Sequence, residues 1–387
     1  MDKGEQMTKD TKPLTIGLVI DDSLDRPDGV QQHVLTLGRW LTGKGHTVHY
    51  LTSTTQRSDL PRIHSLARNL PMTFNGNRLG IPIAADRKAI AQLFRDVTFD
   101  VLHINMPYSP LLAGKIIAAA PPSTTIVGTF HIMPWNTLTS VGTHLLGAIQ
   151  RRQLGRFRQV IAVSTPAAEF AAKALRVDPI VIGNPVRVLG FSQARDAELA
   201  LRDEQPEGQP VKIFFLGRLV ERKGILELLA AAARLRELTT TPFELVVGGK
   251  GPLQDTCLRY VAETNLDDIT TFLGYVAEDD KAELLAAADI VALPSTGGES
   301  FGISVVEALA ACRGAVIAGD NAGYRTVMEG LENQLIDATN TEAFAQLLQG
   351  FVEDPQRRDD ASAKQVETAQ RFDVDYIGRR VIEIYGS

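Results

Sequence analysis

The chain has 387 residues, 44% of them hydrophobic, with 40 Lys and Arg against 46 Asp and Glu and only two Cys. That apolar fraction excludes wholesale disorder, and the length suits two cores of ordinary size rather than one. No uninterrupted apolar run reaches the roughly 18 residues of a membrane span, and MDKGEQMTKDTKP lacks the apolar centre of a signal peptide. Cys257 and Cys312 lie far apart with no CxxC, which argues against a disulfide framework or a thiolate zinc site. The expected location is the cytoplasm, with peripheral attachment at the inner face of the cell membrane left open.

The net charge of -6 conceals a division. Residues 1–190 carry 21 basic and 13 acidic side chains, the remainder 19 and 33, and all seven His fall in the first half. Between positions 39 and 158, 14 basic residues meet only four acidic ones. Such a half suits an anionic partner, whether a lipid surface, a phosphorylated acceptor or nucleic acid; two domains of unlike surface charge read the same way.

In chain order, residues 1–13 read as a disordered segment. LTIGLVI then reads as a buried strand, followed by a turn containing RPDGVQQHV, where Gly29 permits close backbone approach to a phosphate or sugar. Val30, Val34, Leu37 and Leu41 recur at helical spacing, with Gly43 and Gly45 at the helix end. HTVHYLT, FDVLHIN, TTIVGTF and QVIAVS are further strands, separated by helical segments such as 108–120. His131 stands just beyond TTIVGTF, in reach of a ligand at the strand ends. His33, His46, His49, His64 and His144 read as structural or exposed, and His103 is undecided.

The polar stretch 186–210 reads as an interdomain connection, after which the alternation restarts with VKIFFLG. Arg218 leaves the end of that strand and Lys223 precedes the helix 224–238. Two fixed cations there can neutralise a diphosphate without a metal, while Arg222 reads as a solvated loop charge. FELVVGG, ITTFLG, DIVALP and GAVIAG are the later strands. After DIVALP comes GGESFGISVVEA, where backbone N–H groups at a helix start, approached through Gly297, Gly298 and Gly302, can hold phosphate oxygens. Glu299 lies in the loop, suited to a polyhydroxylated group. Glu307 lies two turns into an apolar helix, suited to a ribose diol, where an unpartnered carboxylate would be costly. The last helical pattern, 361–387, lacks a strand and is expected to cross between domains.

The fold class is therefore α/β: two doubly wound Rossmann-like domains, 14–185 and 211–360, facing across a cleft. A GxGxxG fingerprint is missing after the first strand, which disfavours a nicotinamide or flavin oxidoreductase. No helix-turn-helix or aromatic-basic motif supports nucleic-acid binding.

DGVQQHVL, FDVLHIN, GTFHI, RQVIAVS, FFLGRLVERKG, GGESFGISVVEALAA and FNGNRLGIP together resemble the family-4 retaining glycosyltransferases of the GT-B fold. Within that group they are most similar to the phosphatidylinositol mannosyltransferases of actinobacterial envelopes. The resemblance implies an acceptor-side first domain and a nucleotide-sugar-binding second domain. It implies that Arg218 and Lys223 bind the donor diphosphate, Glu307 the ribose and Glu299 the transferred sugar. It further implies that the backbone of Ser300, Phe301, Gly302 and Ile303 supports sugar and phosphate, and that Gly29 abuts the diphosphate. His131 is implied beside the reacting sugar, and Gln31 and Asn75 on the acceptor side. The implied reaction moves a hexose, with mannose from GDP-mannose the first choice, from a nucleoside diphosphate to a hydroxyl of a lipid-linked or anionic acceptor with retention. No metal or other cofactor is expected. A soluble transferase acting on a sugar or small metabolite, and a nucleotide-sugar-binding protein without catalysis, are the alternatives. The chain departs from the family pattern at Asp28-Gly29, where Gly-Gly is common, and at Asp22, where the lipid mannosyltransferases have an aromatic residue. It also departs at Asn184-Pro185, at Ile132, and in ADRKAIAQLFR, which keeps only Arg87, Lys88 and Arg95 of a strongly basic helix.

Overall fold

The computed structural model describes residues 12–26, 28–74, 77–107, 109–133, 143, 145, 147–148, 150–201 and 208–386. The expected disordered segment lies outside them up to residue 11.

The first unit is built on β1 (Thr15–Val19), β2 (Thr47–Ser53), β3 (Ile63–Phe74), β4 (Asn77–Ala85), β5 (Val101–Asn105), β6 (Thr125–Phe130), β7 (Gln159–Ala162) and β8 (Pro179–Val181). Their order is β4-β3-β2-β1-β5-β6-β7-β8, parallel throughout except where β4 runs antiparallel to β3. Its helices include α1 (Gly29–Gly43), α2 (Arg87–Asp96), α3 (Leu112–Ala119), α4 (Arg151–Leu154) and α5 (Thr165–Leu175). β5 is buried at every position, as an apolar run covered on both faces by helices must be. On α1 the periodic Val34, Leu37 and Leu41 are fully buried, and Gly38 makes room for the ring of Tyr50 on β2. α2 starts where the Asp86 carboxylate accepts from the backbone N–H of Lys88 and Ala89, both at 3.0 Å.

The second unit contains α6 (Val188–Ala200), β9 (Val211–Leu216), α7 (Ile225–Leu238), β10 (Phe243–Gly248), α8 (Gln254–Glu263), β11 (Thr270–Gly274), α9 (Lys281–Ala286) and β12 (Ile290–Leu293). It continues with α10 (Ile303–Ala311), β13 (Ala315–Gly319), α11 (Ala322–Val327), β14 (Leu335–Ile336), α12 (Thr341–Val352), α13 (Pro355–Gln370) and α14 (Val374–Gly386). The sheet order is β11-β10-β9-β12-β13-β14, all parallel. Strand order reverses between β1 and β5 in one sheet and between β9 and β12 in the other, which opens a crevice at the strand ends of each.

Three segments differ from the sequence reading. The stretch 186–210 is not simply a linker: α6 runs through it and packs against α9 and α10, with Glu198 meeting Arg313 at 3.7 Å. It reads as polar because Val188 is its one buried residue. The C-terminal segment is two helices rather than one, the first starting at Pro355 with the Asp354 carboxylate as its cap. α13 lies on α10 and β13, whereas Ile377, Val381, Ile384 and Tyr385 of α14 join the core beside α1. The chain does therefore cross back to the first unit, and Trp40 Nε1 donates to Asp375 at 2.7 Å where it docks. Phe74 of FNGNRLGIP, finally, ends β3 and its residues from Asn77 onward lie in β4, strands for which the sequence shows no clean alternation.

Candidate active site

A cavity of about 870 Å³ lies between the units. It is lined by residues beyond the ends of β1 (Ile20 to Asp22), β5 (Met106, Ser109) and β6 (His131). On the other side lie those beyond β9 (Gly217, Arg218), β10 (Gly249, Lys250) and β12 (Glu299 to Ile303). Parallel sheets deliver their loops to one edge, so two of them edge to edge enclose a site contributed by many strands.

The loop after β9 reaches the cavity through a 3-10 turn, Glu221–Lys223, and enters α7 at Gly224. Gly224 has φ +73°, and a Cβ there would strike the Pro294 carbonyl, so only glycine fits. The Arg222 carbonyl accepts from Ser295 Oγ at 2.7 Å and from the Thr296 N–H at 3.0 Å, stitching this loop to the one after β12. Glu299 sits where the two loops meet. Its Oε1 accepts from Arg222 at 2.6 Å and Lys223 at 2.8 Å, and lies 3.0 Å from Ser295 Oγ, whose single proton it shares with the Arg222 carbonyl. Burial works against ionisation of Glu299, but Lys223 and Arg222 outweigh it and hold the carboxyl below its ordinary range. Burial likewise works against the Lys223 charge, and Glu299 more than restores it, raising the ammonium above its usual value. Arg222 is thus no solvated loop charge. It is drawn inward because a buried carboxylate stands beside it, a partner 77 positions away in sequence.

α10 begins at Gly302, φ +117°, with no side-chain cap, and α1 begins at Asp28 with none either. A Cβ placed on Gly29 would lie 3.8 Å from Ile303 Cδ1, so the two helix N-termini face one another across the cleft. Uncapped N–H groups and aligned peptide dipoles make that gap favourable for an anion. Arg218 lines the same gap; burial presses its charge downward, while Asp28 across the cleft and nearby Arg222 act on it in opposite directions. Ser300 also lines the cavity, while the Phe301 ring is buried edge-on against Phe372 at 5.2 Å and anchors the loop.

Glu307 is 4% exposed on α10 and finds its counter-charge in Lys281, 3.3 Å away. Burial nevertheless pushes its carboxyl up to about 7. Lys281 also pairs with Glu278 at 2.8 Å, which accepts from Gln32 of the first unit at 3.4 Å. The sequence demanded a partner for Glu307 but gave no sign which cation it would be.

His131 faces the cavity and is almost fully buried. Asn105 donates to the Val19 carbonyl, so its Oδ1 accepts from His131 Nε2 at 2.9 Å and leaves Nδ1 as the acceptor nitrogen. Burial, reinforced by His33 and His103, keeps the ring neutral. His33 packs edge-on against it at 4.8 Å and bonds Asn184 Oδ1. His103 is structural, held by Thr129 at 2.6 Å and Tyr385 at 2.7 Å. On the first unit's side of the cavity Gln31 lines the wall and donates to the Ser23 carbonyl at 3.4 Å. Asn75 and His144 lie outside the described residues. Asp21, which the sequence did not single out, is buried there, bonded to Ser109 and to the Ala113 N–H.

Among the basic residues between positions 39 and 158, Arg156 is engaged within the first unit. Its guanidinium donates to the carbonyls of Ile117, Ala120 and Pro121 at the end of α3. Among the described residues no helix is long and apolar enough to cross a membrane.

The model for "Glycosyl transferases group 1" matches residues 197–368, and that for "Glycosyltransferase Family 4" matches residues 27–188. The chain is 35% identical over 380 residues to a phosphatidyl-myo-inositol mannosyltransferase of Mycolicibacterium smegmatis, covering 96% of this chain and 93% of that protein. It is 31% identical over 379 residues to the protein of the same name from Mycobacterium leprae, with 96% of each covered. The solved structure of Anabaena HepE in complex with UDP-glucose matches with a TM-score of 0.74 at 18% identity, over 96% of this chain and 98% of that one. That likeness extends to the fold alone, with its two facing units. Sequence kinship across nearly the whole chain carries the rest: this protein is a glycosyltransferase and belongs to family 4 of the GT-B fold.

Proposed function

We propose that the protein is a retaining mannosyltransferase that uses a nucleoside diphosphate sugar and glycosylates a phosphoinositide-type lipid. The observation that carries the donor half is the convergence of Arg218, Lys223 and two uncapped helix N-termini on one gap in the cleft. A diphosphate leaving group develops negative charge, and fixed donors aimed at that charge stabilise the transition state more than the ground state. Arg218, Lys223 and the N–H groups from Ser300 to Ile303 hold the diphosphate, with Gly29 against its far side. Glu307 accepts from the ribose hydroxyls and Glu299 from the sugar. His131 Nδ1 accepts from a sugar hydroxyl.

In a same-face transfer the bond from the anomeric carbon to the phosphate oxygen breaks as the acceptor oxygen bonds to that carbon. The acceptor proton passes to the departing phosphate oxygen. Cations and helix dipoles supply the charge here, so no metal is required. Names of the mycobacterial relatives support mannose and a phosphoinositide as the partners. Exposed Arg151 and Arg152, together with Arg87, Lys88 and Arg95 on α2, support attachment to an anionic lipid surface.

The first test is calorimetry of GDP-mannose, UDP-glucose, UDP-N-acetylglucosamine and NAD in EDTA. Saturable binding of a sugar nucleotide that disappears in Lys223→Ala supports the donor site, whereas binding of NAD alone refutes it. Transfer of labelled mannose to phosphatidylinositol vesicles tests the acceptor.

One observation favours a second reading, an uncharged soluble acceptor. Asp21 and Asp22 line the first unit's side of the cavity, and carboxylates there would disfavour an anionic head group beside them. Turnover with a water-soluble polyol, and none with phosphatidylinositol, would establish that version.

A further inference from the structure

We propose that Arg222 is the positioning residue for the donor sugar, holding Glu299 ionised and oriented while Lys223 serves the diphosphate. The inference rests on the donor site proposed above and assigns it a further residue.

Glu299 receives Arg222, Lys223 and Ser295 on one oxygen, Oε1. Its side chain is 14% exposed and lines the cavity, and Oε2 accepts from none of these three donors. A carboxylate anchored at one oxygen presents the other in a fixed direction, which is what recognition of a hydroxyl pair on a hexose requires.

Two cations on one carboxylate exceed what neutralising it requires, so one is available for other work. We assign that work to Lys223, a point charge on a four-carbon stem that lines the cavity. A diphosphate in the gap between the helix N-termini attracts the ammonium and weakens its hold on Glu299. Arg222 stays, because its planar guanidinium is held at 2.6 Å and its own carbonyl is locked by Ser295 and Thr296. Without it, donor binding would leave a buried carboxylate losing its remaining counter-charge, and burial would then push the carboxyl toward its protonated form.

The residue acts through Glu299 rather than on the donor, so a specific pattern follows. Binding of nucleoside diphosphate alone depends little on Arg222, whereas the additional affinity contributed by the attached hexose depends on it strongly. Because the backbone carbonyl makes the loop contacts, Arg222→Gln and Arg222→Lys leave those bonds in place.

The experiment measures binding of GDP, GDP-mannose, UDP and UDP-glucose to wild type, Arg222→Gln and Arg222→Lys. The pH dependence of kcat/KM is measured alongside. The expected result for Arg222→Gln is nucleoside diphosphate affinity within about threefold of wild type, a hexose increment reduced about tenfold or more, and an acid limb of kcat/KM moved to higher pH. Arg222→Lys is expected to restore part of both. Retained GDP or UDP binding with an unchanged hexose increment and an unmoved acid limb in Arg222→Gln overturns the role of Arg222 alone. Failure of wild type to bind any of the four ligands overturns the donor site and this role together.

Discussion

The Lys281 ammonium lies 3.3 Å from the Glu307 carboxylate in the middle of a helix otherwise lined by buried Val305, Val306, Leu309 and Ala310. One charged pair thus accounts for a carboxylate that apolar neighbours alone would exclude. Burial still dominates, and the Glu307 carboxyl titrates at about 7, against an ordinary value of 4.5.

That shift has a sign. The folded state holds the proton where the unfolded chain has lost it, so stability falls as pH rises from 4.5 to about 7. The change attributable to Glu307 amounts to about 3 kcal/mol at most. Urea denaturation of wild type and Glu307→Gln across this window isolates the effect. The difference between them is expected to change in favour of the variant as pH rises, and a difference independent of pH would refute the assignment.

Lys223→Ala is expected to lower kcat by about 100-fold or more, as removal of a transition-state charge partner does, while the fold persists. Arg222 remains on Glu299 in that variant, so the buried carboxylate keeps one counter-charge. Glu299→Ala is expected to be equally inactive. Turnover near wild type in either, with unchanged circular dichroism, would sink the site.

Gly29→Ala probes the gap between α1 and α10. An added Cβ meets Ile303 at ordinary van der Waals distance, so the empty protein is expected to be at least as stable as wild type. If the diphosphate binds in this gap as proposed, donor KM is expected to rise several-fold, because the methyl would narrow the space between the two helix N-termini. Thermal denaturation and initial-rate kinetics on the same preparation separate the two effects.

His131 is held neutral by burial and by His33 and His103, so its ring carries no charge at neutral pH. The kcat profile is therefore expected to show no His131 limb between pH 6 and 8. Asn105→Leu, which removes the acceptor that sets the ring tautomer, is expected to lower kcat about tenfold. A limb near pH 6.5 that vanishes in His131→Gln would contradict this account.

Transfer is expected to continue in EDTA if, as proposed, Arg218, Lys223 and the helix N-termini supply the positive charge. An absolute requirement for Mg²⁺ or Mn²⁺ in the same assay would refute the charge argument.

Much of this protein was legible from local pattern. A strand such as LTIGLVI announces burial on both faces through an apolar run, and α1 announces itself through Val34, Leu37 and Leu41. Loops that must leave a parallel strand at its C-terminal end also have only one edge to reach. That is why Arg218, Lys223, Glu299 and His131 were placed at the cleft by their position after β9, β12 and β6, and the structure brings them to the same cavity.

What remained hidden was the choice of partner. Arg222 looks like any loop arginine until Glu299 arrives beside it from 77 residues away. Lys281 opens a short helix with no visible partner until Glu307 faces it, and Tyr385 bonds His103 across 282 positions. α6 has weak periodicity of its own and is set by what it packs against. Strands, helices and the loops between them follow from a few neighbouring residues, so the sequence determined the two-unit architecture and the edge that holds the chemistry. Ion pairs and hydrogen bonds act over a few ångströms between groups remote in the chain, so only the tertiary structure decided which charges meet.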